Sequence, residues 1–349
     1  MRSSYSEEDV IILLKDITGM VRPQPAEERE RLIQEGKHYC EMLPIEYIPS
    51  LKYMEAYQEA LKNFGDDTAF SVGRLADKIM KKKGEQVVLV SLARAGIPVG
   101  ILLKRYIRWK YKVDIKHYSV SIIRGKGIDE NAMSYILNRY KTENILFVDG
   151  WIGKGAIQNE LKKTVKEIPG LSAELAVAAD PANITELSGT NSDLLIPSSC
   201  LNSTVSGLIS RTFLRDDIIG KEDFHGAVFY EELQGEDLSY DFIREIESRF
   251  QKENPVERPC LKQKGIEKVR EIAEKFQIED INLIKPGIGE TTRVLLRRVP
   301  WKILIDTGSR DDVSLNHIKK LSEEKGVPIE YAFLGNYKAC GIIKKMADT

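Results

Sequence analysis

The stretch FVDGWIGKGAI, residues 147–157, governs the reading of the chain. An apolar strand runs into Asp149, a turn with glycines at 150, 153 and 155 follows, and a helical pattern starts at about Gly155. Glycines in such a turn let backbone N–H groups approach a phosphate, and the positive end of the next helix adds to the attraction. Asp149 at the strand end can accept hydrogen bonds from two vicinal ribose hydroxyls, and Lys154 offers a point charge to a phosphate. A plain strand–helix connection has the same outline, so the neighbouring segments must decide between the two.

Outward from this motif, short apolar runs alternate with longer helical patterns. QVVLVSLA (86–93) predicts a buried strand and 97–109 a helix; 115–123 predicts a strand and 130–140 a helix; 173–179 predicts a further strand. Alternation of this kind implies parallel pairing through right-handed crossovers, hence an α/β sheet. Ligands bind beyond the C-terminal ends of such strands, which directs attention to the loops after residues 92 and 149. In VSLARAGIPVG (90–100), Arg94, Ala95 and Gly96 follow a strand. In SIIRGKGIDENA (121–132), Arg124 and Lys126 are spaced by Gly125 and Gly127, which suits a hinged lid that closes cations over a polyphosphate.

The whole chain has 349 residues, enough for about two domains, with 52 Lys and Arg against 53 Asp and Glu. That balance excludes a polycation or an acidic disordered tail. No apolar run approaches the roughly 18 residues of a membrane-spanning helix, and the N-terminus turns acidic where a signal peptide would be apolar. Cys40, Cys200, Cys260 and Cys340 lie far apart, against a disulfide scaffold or Cys-rich zinc site and for a reducing cytoplasm. The polar, Pro-containing segment 251–260 reads as a linker between a domain of residues 1–250 and one of residues 261–349. Beyond residue 250 there are 19 Lys and Arg against 15 Asp and Glu, so the smaller piece is basic. Its pattern predicts helices over 261–276, 291–299, 315–325 and 336–346 and strands at 302–306 and 329–333.

The strand, acid and Gly-rich turn at 147–157 resemble the phosphoribosyl pyrophosphate motif of type I phosphoribosyltransferases. Gly150 stands where that motif has its second acid, and Gly153, Lys154 and Ile157 replace hydroxyl residues. The 90–100 loop resembles the pyrophosphate loop of uracil-type members, and 121–132 falls where that fold carries its catalytic loop. The strings GKHYCEMLP (36–44), IPSSCLNSTVSGLISRT (196–212) and HGAVFYEEL (225–233) are similar to those of bacterial phosphoribosyltransferase–Pelota fusion proteins of tellurite-resistance stress operons, a group also labelled cysteine protease StiP. The resemblance implies a type I phosphoribosyltransferase-like domain using phosphoribosyl pyrophosphate, Mg²⁺ and an unknown base. It would hold the ribose on Asp149 and the 5′-phosphate on Gly150 and Gly153–Ala156, including Gly155 and Lys154. The pyrophosphate falls to Arg94, Ala95 and Gly96, and leaving-group charge to Arg124 and Lys126.

The second label requires a nucleophile. Cys200 lies in a segment dense in Ser, Thr and Asn, and His225 is the nearest histidine, with Asp216, Asp217 or Asp223 able to orient it. The same segment suits phosphate or nucleobase binding. His38 and Cys40 form a weaker pair, since their side chains are expected to diverge. A non-catalytic nucleotide sensor is the third reading, kept open by the absent second acid.

KPGIGETTRVLLRRVPWKILID (285–306) and EEKGVPIEYAFLGNYKACG (323–341) resemble the Pelota and kink-turn RNA-binding family, a small α/β sandwich. That resemblance implies RNA contacts from Gly287, Gly289, Glu290, Arg293 and Arg297, with Arg298 also within reach of phosphates. Gly289 replaces a frequent Asn. The expected protein is cytoplasmic, without membrane contact, with a homodimer allowed for.

Overall fold

In a computed structural model of the chain, which describes residues 1–256 and 260–345, the N-terminal part is built on a six-stranded, wholly parallel sheet. In chain order its strands are β1 (Ile11–Ile12), β2 (Val88–Leu92), β3 (Lys116–Val120), β4 (Ile145–Trp151), β5 (Leu175–Ala179) and β6 (Ser188–Thr190), arranged β1-β3-β2-β4-β5-β6. The helices between them are α1 (Leu51–Lys83), α2 (Gly96–Tyr111), α3 (Glu130–Leu137) and α4 (Ala156–Val165), and α5 (Ser239–Glu247) follows. Alternate strand residues enter two cores. Leu89, Leu146, Val148 and Ala176 pack with residues of α1 and α2. Val88, Val90, Phe147 and Val177 pack with Met133, Ile136, Leu161 and Val165 of α3 and α4. A parallel sheet covered on both faces is what near-continuous apolar strands require.

The strand–helix alternation does not foretell α1. This 33-residue helix begins after Ser50, carries Lys81, Lys82 and Lys83 in its last turn, and stops at Gly84, whose φ is +70°. Cations at a helix C-terminus and a left-handed glycine beyond it are favourable stop signals.

The C-terminal part contains α6 (Gly265–Lys275), β7 (Ile284–Pro286), α7 (Ile288–Arg297), β8 (Pro300–Asp306), α8 (Asn316–Glu324), β9 (Ile329–Ala332) and β10 (Ala339–Ile343). Its four strands lie in the order β7-β10-β8-β9. Here one expectation fails: the segment predicted as a helix over 336–346 holds β10, a buried strand antiparallel to both β7 and β8. The run ACGII is apolar on every side, and a short apolar run cannot be assigned to helix or strand by periodicity. Gly341 also sits where a Cβ would lie 3.0 Å from Val294 of α7, so the strand presses closely on that helix. Residues 257–259 of the expected linker and 346–349 lie outside the described residues.

The two parts dock through buried and part-buried polar contacts. Asp193 accepts hydrogen bonds from the backbone N–H of Ile288 at 3.0 Å and of Lys338 at 2.8 Å. The Tyr337 hydroxyl donates to Gly153 O at 2.6 Å, and Gly265 N donates to Ala182 O at 2.9 Å. Asp193→Ala would orphan the buried Ile288 N–H, at about 1–3 kcal/mol, and the part-buried Lys338 N–H as well. The expected outcome is a lowered Tm and faster trypsin cleavage between residues 250 and 265. An unchanged cleavage rate would show that Asp193 does not hold the docked arrangement.

Candidate functional site

The C-terminal ends of β2 and β4 open into one cavity of about 1430 Å³ whose walls come from both domains. Two glycines let the loops after these strands meet. A Cβ on Gly96 would lie 2.5 Å from Val148 O and 3.1 Å from the Asp149 Cα, and a Cβ on Gly150 would lie 3.2 Å from Ala95 O. Gly155, with φ +87°, starts α4. The Ala93–Arg94 peptide bond is cis.

Asp149 ends β4, lines the cavity and accepts from its neighbour's N–H, Gly150 N, at 2.7 Å. Burial pushes its carboxyl up to about 7; Glu290 adds to the rise, while the Gly150 N–H and Arg293 oppose it. Whatever stability the neutral carboxyl confers at low pH is therefore lost as pH rises from the ordinary 3.8 through about 7.

Cations gather in two groups. Arg94 donates to Ile209 O at 2.6 Å and to Asn202 Oδ1 at 2.9 Å, so neither bond goes to a carboxylate. Arg211 lies beside it. Burial lowers the Arg211 guanidinium to about 10, and the like charges of Arg29, Arg94 and Arg298 lower it further. Tyr39 offers its ring face to Arg211 at 5.4 Å. In the second group, burial lowers Lys154 to about 8, with Lys285 and Arg124 repelling it. The Lys154 ammonium donates to Ile281 O and, at 3.1 Å, to Ile284 O, both in the C-terminal domain. Arg124 bridges the domains too, donating to Asn282 Oδ1 at 2.9 Å, while its N–H donates to the Tyr39 hydroxyl at 2.9 Å. Like charges held together in a partly buried wall are unfavourable until an anion arrives.

The structure thus brings Arg94, Ala95, Arg124, Asp149, Gly153, Lys154, Gly155 and Ala156 to one cavity, whereas Lys126 is exposed and not in its wall. Arg124 and Lys126 lie on the turn of a small hairpin, Ile122–Ile123 with Gly127–Ile128, and charge spacing alone could not say which of them turns inward. Arg29, Arg211 and Lys285 escaped the sequence reading. Arg211 stood inside the hydroxyl-rich 196–212 string; Arg29, on the helix Ala26–Gln34, belongs to no motif.

The cysteine constellation is not assembled as expected. Cys200 lines the cavity, but His225 is held elsewhere: its Nδ1 is 2.8 Å from Ser121 Oγ and its N–H donates to Asp129 Oδ2 at 2.5 Å. Asp223, one of its expected orienters, pairs with Lys15 at 2.6 Å, and Asp217 with Arg215. Conversely His38 and Cys40, expected to diverge, meet at 2.9 Å, because the backbone turns tightly over Tyr39–Glu41. Burial pushes the Cys40 thiol up to about 11, which is unfavourable for a thiolate nucleophile.

The Gly287–Arg293 turn, whose resemblance implies RNA, faces the N-terminal domain. A Cβ on Gly289 would touch Ser199 and Trp151, both at 3.4 Å, and Gly287 packs against Asp193. Glu290 and Arg293 line the cavity, with the Arg293 guanidinium 4.5 Å over the Trp151 ring. Arg297 ends α7, and its side chain lies outside the described residues.

Residues 3–247 match the family described as "Tellurite-like stress resistance cysteine protease StiP". The chain belongs to the StiP family. Residues 263–345 match the PELOTA RNA binding domain. The chain is 34% identical to the "Cysteine protease StiP" of Acinetobacter baylyi (strain ATCC 33305 / BD413 / ADP1), covering 98% of this chain and 94% of that one. Among solved structures, a hypoxanthine-guanine phosphoribosyltransferase of Bacillus anthracis str. 'Ames Ancestor' aligns at 18% identity and TM-score 0.26, over 35% of this chain and 71% of that one. A hypoxanthine-guanine-xanthine phosphoribosyltransferase aligns at 14% identity and TM-score 0.26, over 49% and 93%. Among the described residues of this StiP-family chain, no helix is long and apolar enough to cross a membrane.

Proposed function

We propose that the cavity binds phosphoribosyl pyrophosphate and that the protein transfers its phosphoribosyl group to a nitrogen acceptor. One observation carries this reading: two groups of like-charged cations line a single cavity, one beside each of the loops that meet at Asp149. A substrate with a phosphate at one end, a pyrophosphate at the other and a diol between them answers that pattern. Arg94 and Arg211 would take the pyrophosphate, and the Gly153–Ala156 backbone with Lys154, Lys285 and Arg124 the 5′-phosphate. Asp149 would accept from the ribose. The acceptor's lone pair forms the N–C1 bond as the C1–O bond to pyrophosphate breaks. The leaving group keeps the bonding pair, its growing charge met by the arginines, and the acceptor's proton passes to solvent. Mg²⁺ would enter on the substrate's own oxygens and neutralise their charge; the described residues include no group of three or more His, Cys, Asp and Glu able to hold a metal ion.

The cavity is larger than the roughly 300–1,000 Å³ of a pocket for one small ligand, which leaves room for the acceptor beside the sugar. An RNA strand that reached Glu290 and Arg293 would enter by the same opening and compete with the sugar phosphate.

Cys200 in the cavity wall favours a second reading, a thiol-dependent hydrolase, in line with the name of the Acinetobacter relative. Calorimetric titration of phosphoribosyl pyrophosphate with Mg²⁺ separates the two. Wild type is expected to bind at micromolar Kd, about tenfold more tightly at pH 8 than at pH 6, because a carboxyl near 7 accepts hydroxyl bonds fully only when ionised. Asp149→Asn should lose that increment, and Cys200→Ala should bind as wild type does. No binding by wild type, together with native-state alkylation of Cys200 by iodoacetamide, would overturn the transferase in favour of the hydrolase.

A further inference from the structure

We propose that Glu290 of the C-terminal domain is the second carboxylate of the ribose-holding pair, so that the sugar-phosphate site is composite and complete only when the two domains are docked. This inference rests on the phosphoribosyl reading above and assigns a substrate contact to a residue that the sequence resemblance gave to RNA.

The position that would carry the second acid in the chain's own motif is tight. Gly150 backs on the pyrophosphate loop, where a Cβ would stand 3.2 Å from Ala95 O, tighter than an ordinary van der Waals contact. An aspartate there would push away the backbone that positions Arg94. The missing acid is supplied from across the cavity instead. Glu290 lies in the first turn of α7, lines the same cavity as Asp149, and has its Cγ 3.4 Å from where a Cβ on Gly153 would be. Glu290 thus crosses the Gly-rich turn within van der Waals reach of Gly153.

Three features place the glutamate at the cavity. Its carboxylate is 3.4 Å from the Arg293 guanidinium, which in turn lies 4.5 Å over Trp151, two residues beyond Asp149. The Arg293 Nε is buried and has no hydrogen-bond partner among the described residues, so a donor remains for a ligand oxygen. The start of α7 is pinned by the Ile288 N–H to Asp193, and β7 just before it by Lys154 to Ile284 O. The two carboxyls also sense each other, since Glu290 raises Asp149 while Arg293 opposes that repulsion. Two carboxylates that share one guanidinium as neighbour can accept one hydroxyl each from a vicinal diol, which a lone carboxylate does with poorer geometry.

The test uses the full chain and three probes, ribose 5-phosphate and its 2-deoxy and 3-deoxy analogues, titrated calorimetrically. In wild type each hydroxyl is expected to contribute roughly tenfold in affinity, as bonds to a charged acceptor do. Glu290→Ala should collapse one of the two ratios to within threefold and Asp149→Ala the other. Glu290→Gln, which keeps the packing, should narrow the same ratio as Glu290→Ala. If Glu290→Ala keeps both ratios, or weakens all three probes equally, Glu290 does not touch the diol and the pairing is overturned, with the phosphoribosyl reading intact. If wild type binds neither ribose 5-phosphate nor phosphoribosyl pyrophosphate, the reading and the pairing fall together.

Discussion

Asp149→Ala is expected to weaken phosphoribosyl pyrophosphate binding tenfold or more without lowering Tm. A carboxylate that accepts a hydroxyl bond contributes about 1.5–3 kcal/mol through it. The same carboxyl is a burden to the ligand-free fold, because burial and Glu290 together push it up to about 7. Its only hydrogen-bond donor among the described residues is the adjacent Gly150 N–H, which a water entering the cavity can replace. Loss of function with unchanged or raised stability is the signature of a binding group rather than of a core group. Calorimetry with thermal melts of the same preparations gives both numbers. Retention of wild-type affinity would remove Asp149 from the site.

Arg211→Met is expected to raise Tm by a few degrees in the absence of ligand and to weaken binding of inorganic pyrophosphate tenfold or more. Methionine keeps an unbranched apolar stem at this buried position and removes a guanidinium that Arg29, Arg94 and Arg298 repel. Salt gives an independent check on the cause, for added NaCl screens the repulsion in wild type and should narrow the difference in Tm. A lowered Tm with unchanged pyrophosphate affinity would mean that Arg211 is a structural residue and that the cluster is not an anion subsite.

Both loops that carry the proposed phosphate contacts were legible because each follows a strand directly and contains the glycines that the crossing needs. Arg94 and Asp149 could be found in this way; their closeness is a property of adjacent parallel strands, β2 and β4. Lys126 illustrates the limit, since two cations separated by one glycine on a hairpin turn point in different directions and linear spacing does not choose between them. The arginine cluster was illegible for another reason. Arg29, Arg94, Arg211 and Arg298 come from four distant segments, and only the tertiary fold sets their charges against one another. Its own domain gives Glu290 the context of an RNA contact. Nothing in 147–157 announces that an acid 141 positions beyond Asp149 crosses Gly153. Likewise the ACGII run of β10 carries no polar residue to betray the alternation of a strand.

The position of β10 in its sheet has a consequence for the timing of assembly. It pairs with both β7 and β8, yet it follows every other strand in the chain. A nascent polypeptide emerges at roughly 5–20 residues per second, with N-terminal domains folding first. Until residue 343 has left the ribosome, β7 and β8 have no strand to join them, and Glu290 and Arg293 have no fixed place over the Gly-rich turn. The newborn N-terminal domain thus waits several seconds with its cation-lined wall uncovered. Any fragment released by premature termination carries half of the pocket and none of the closure.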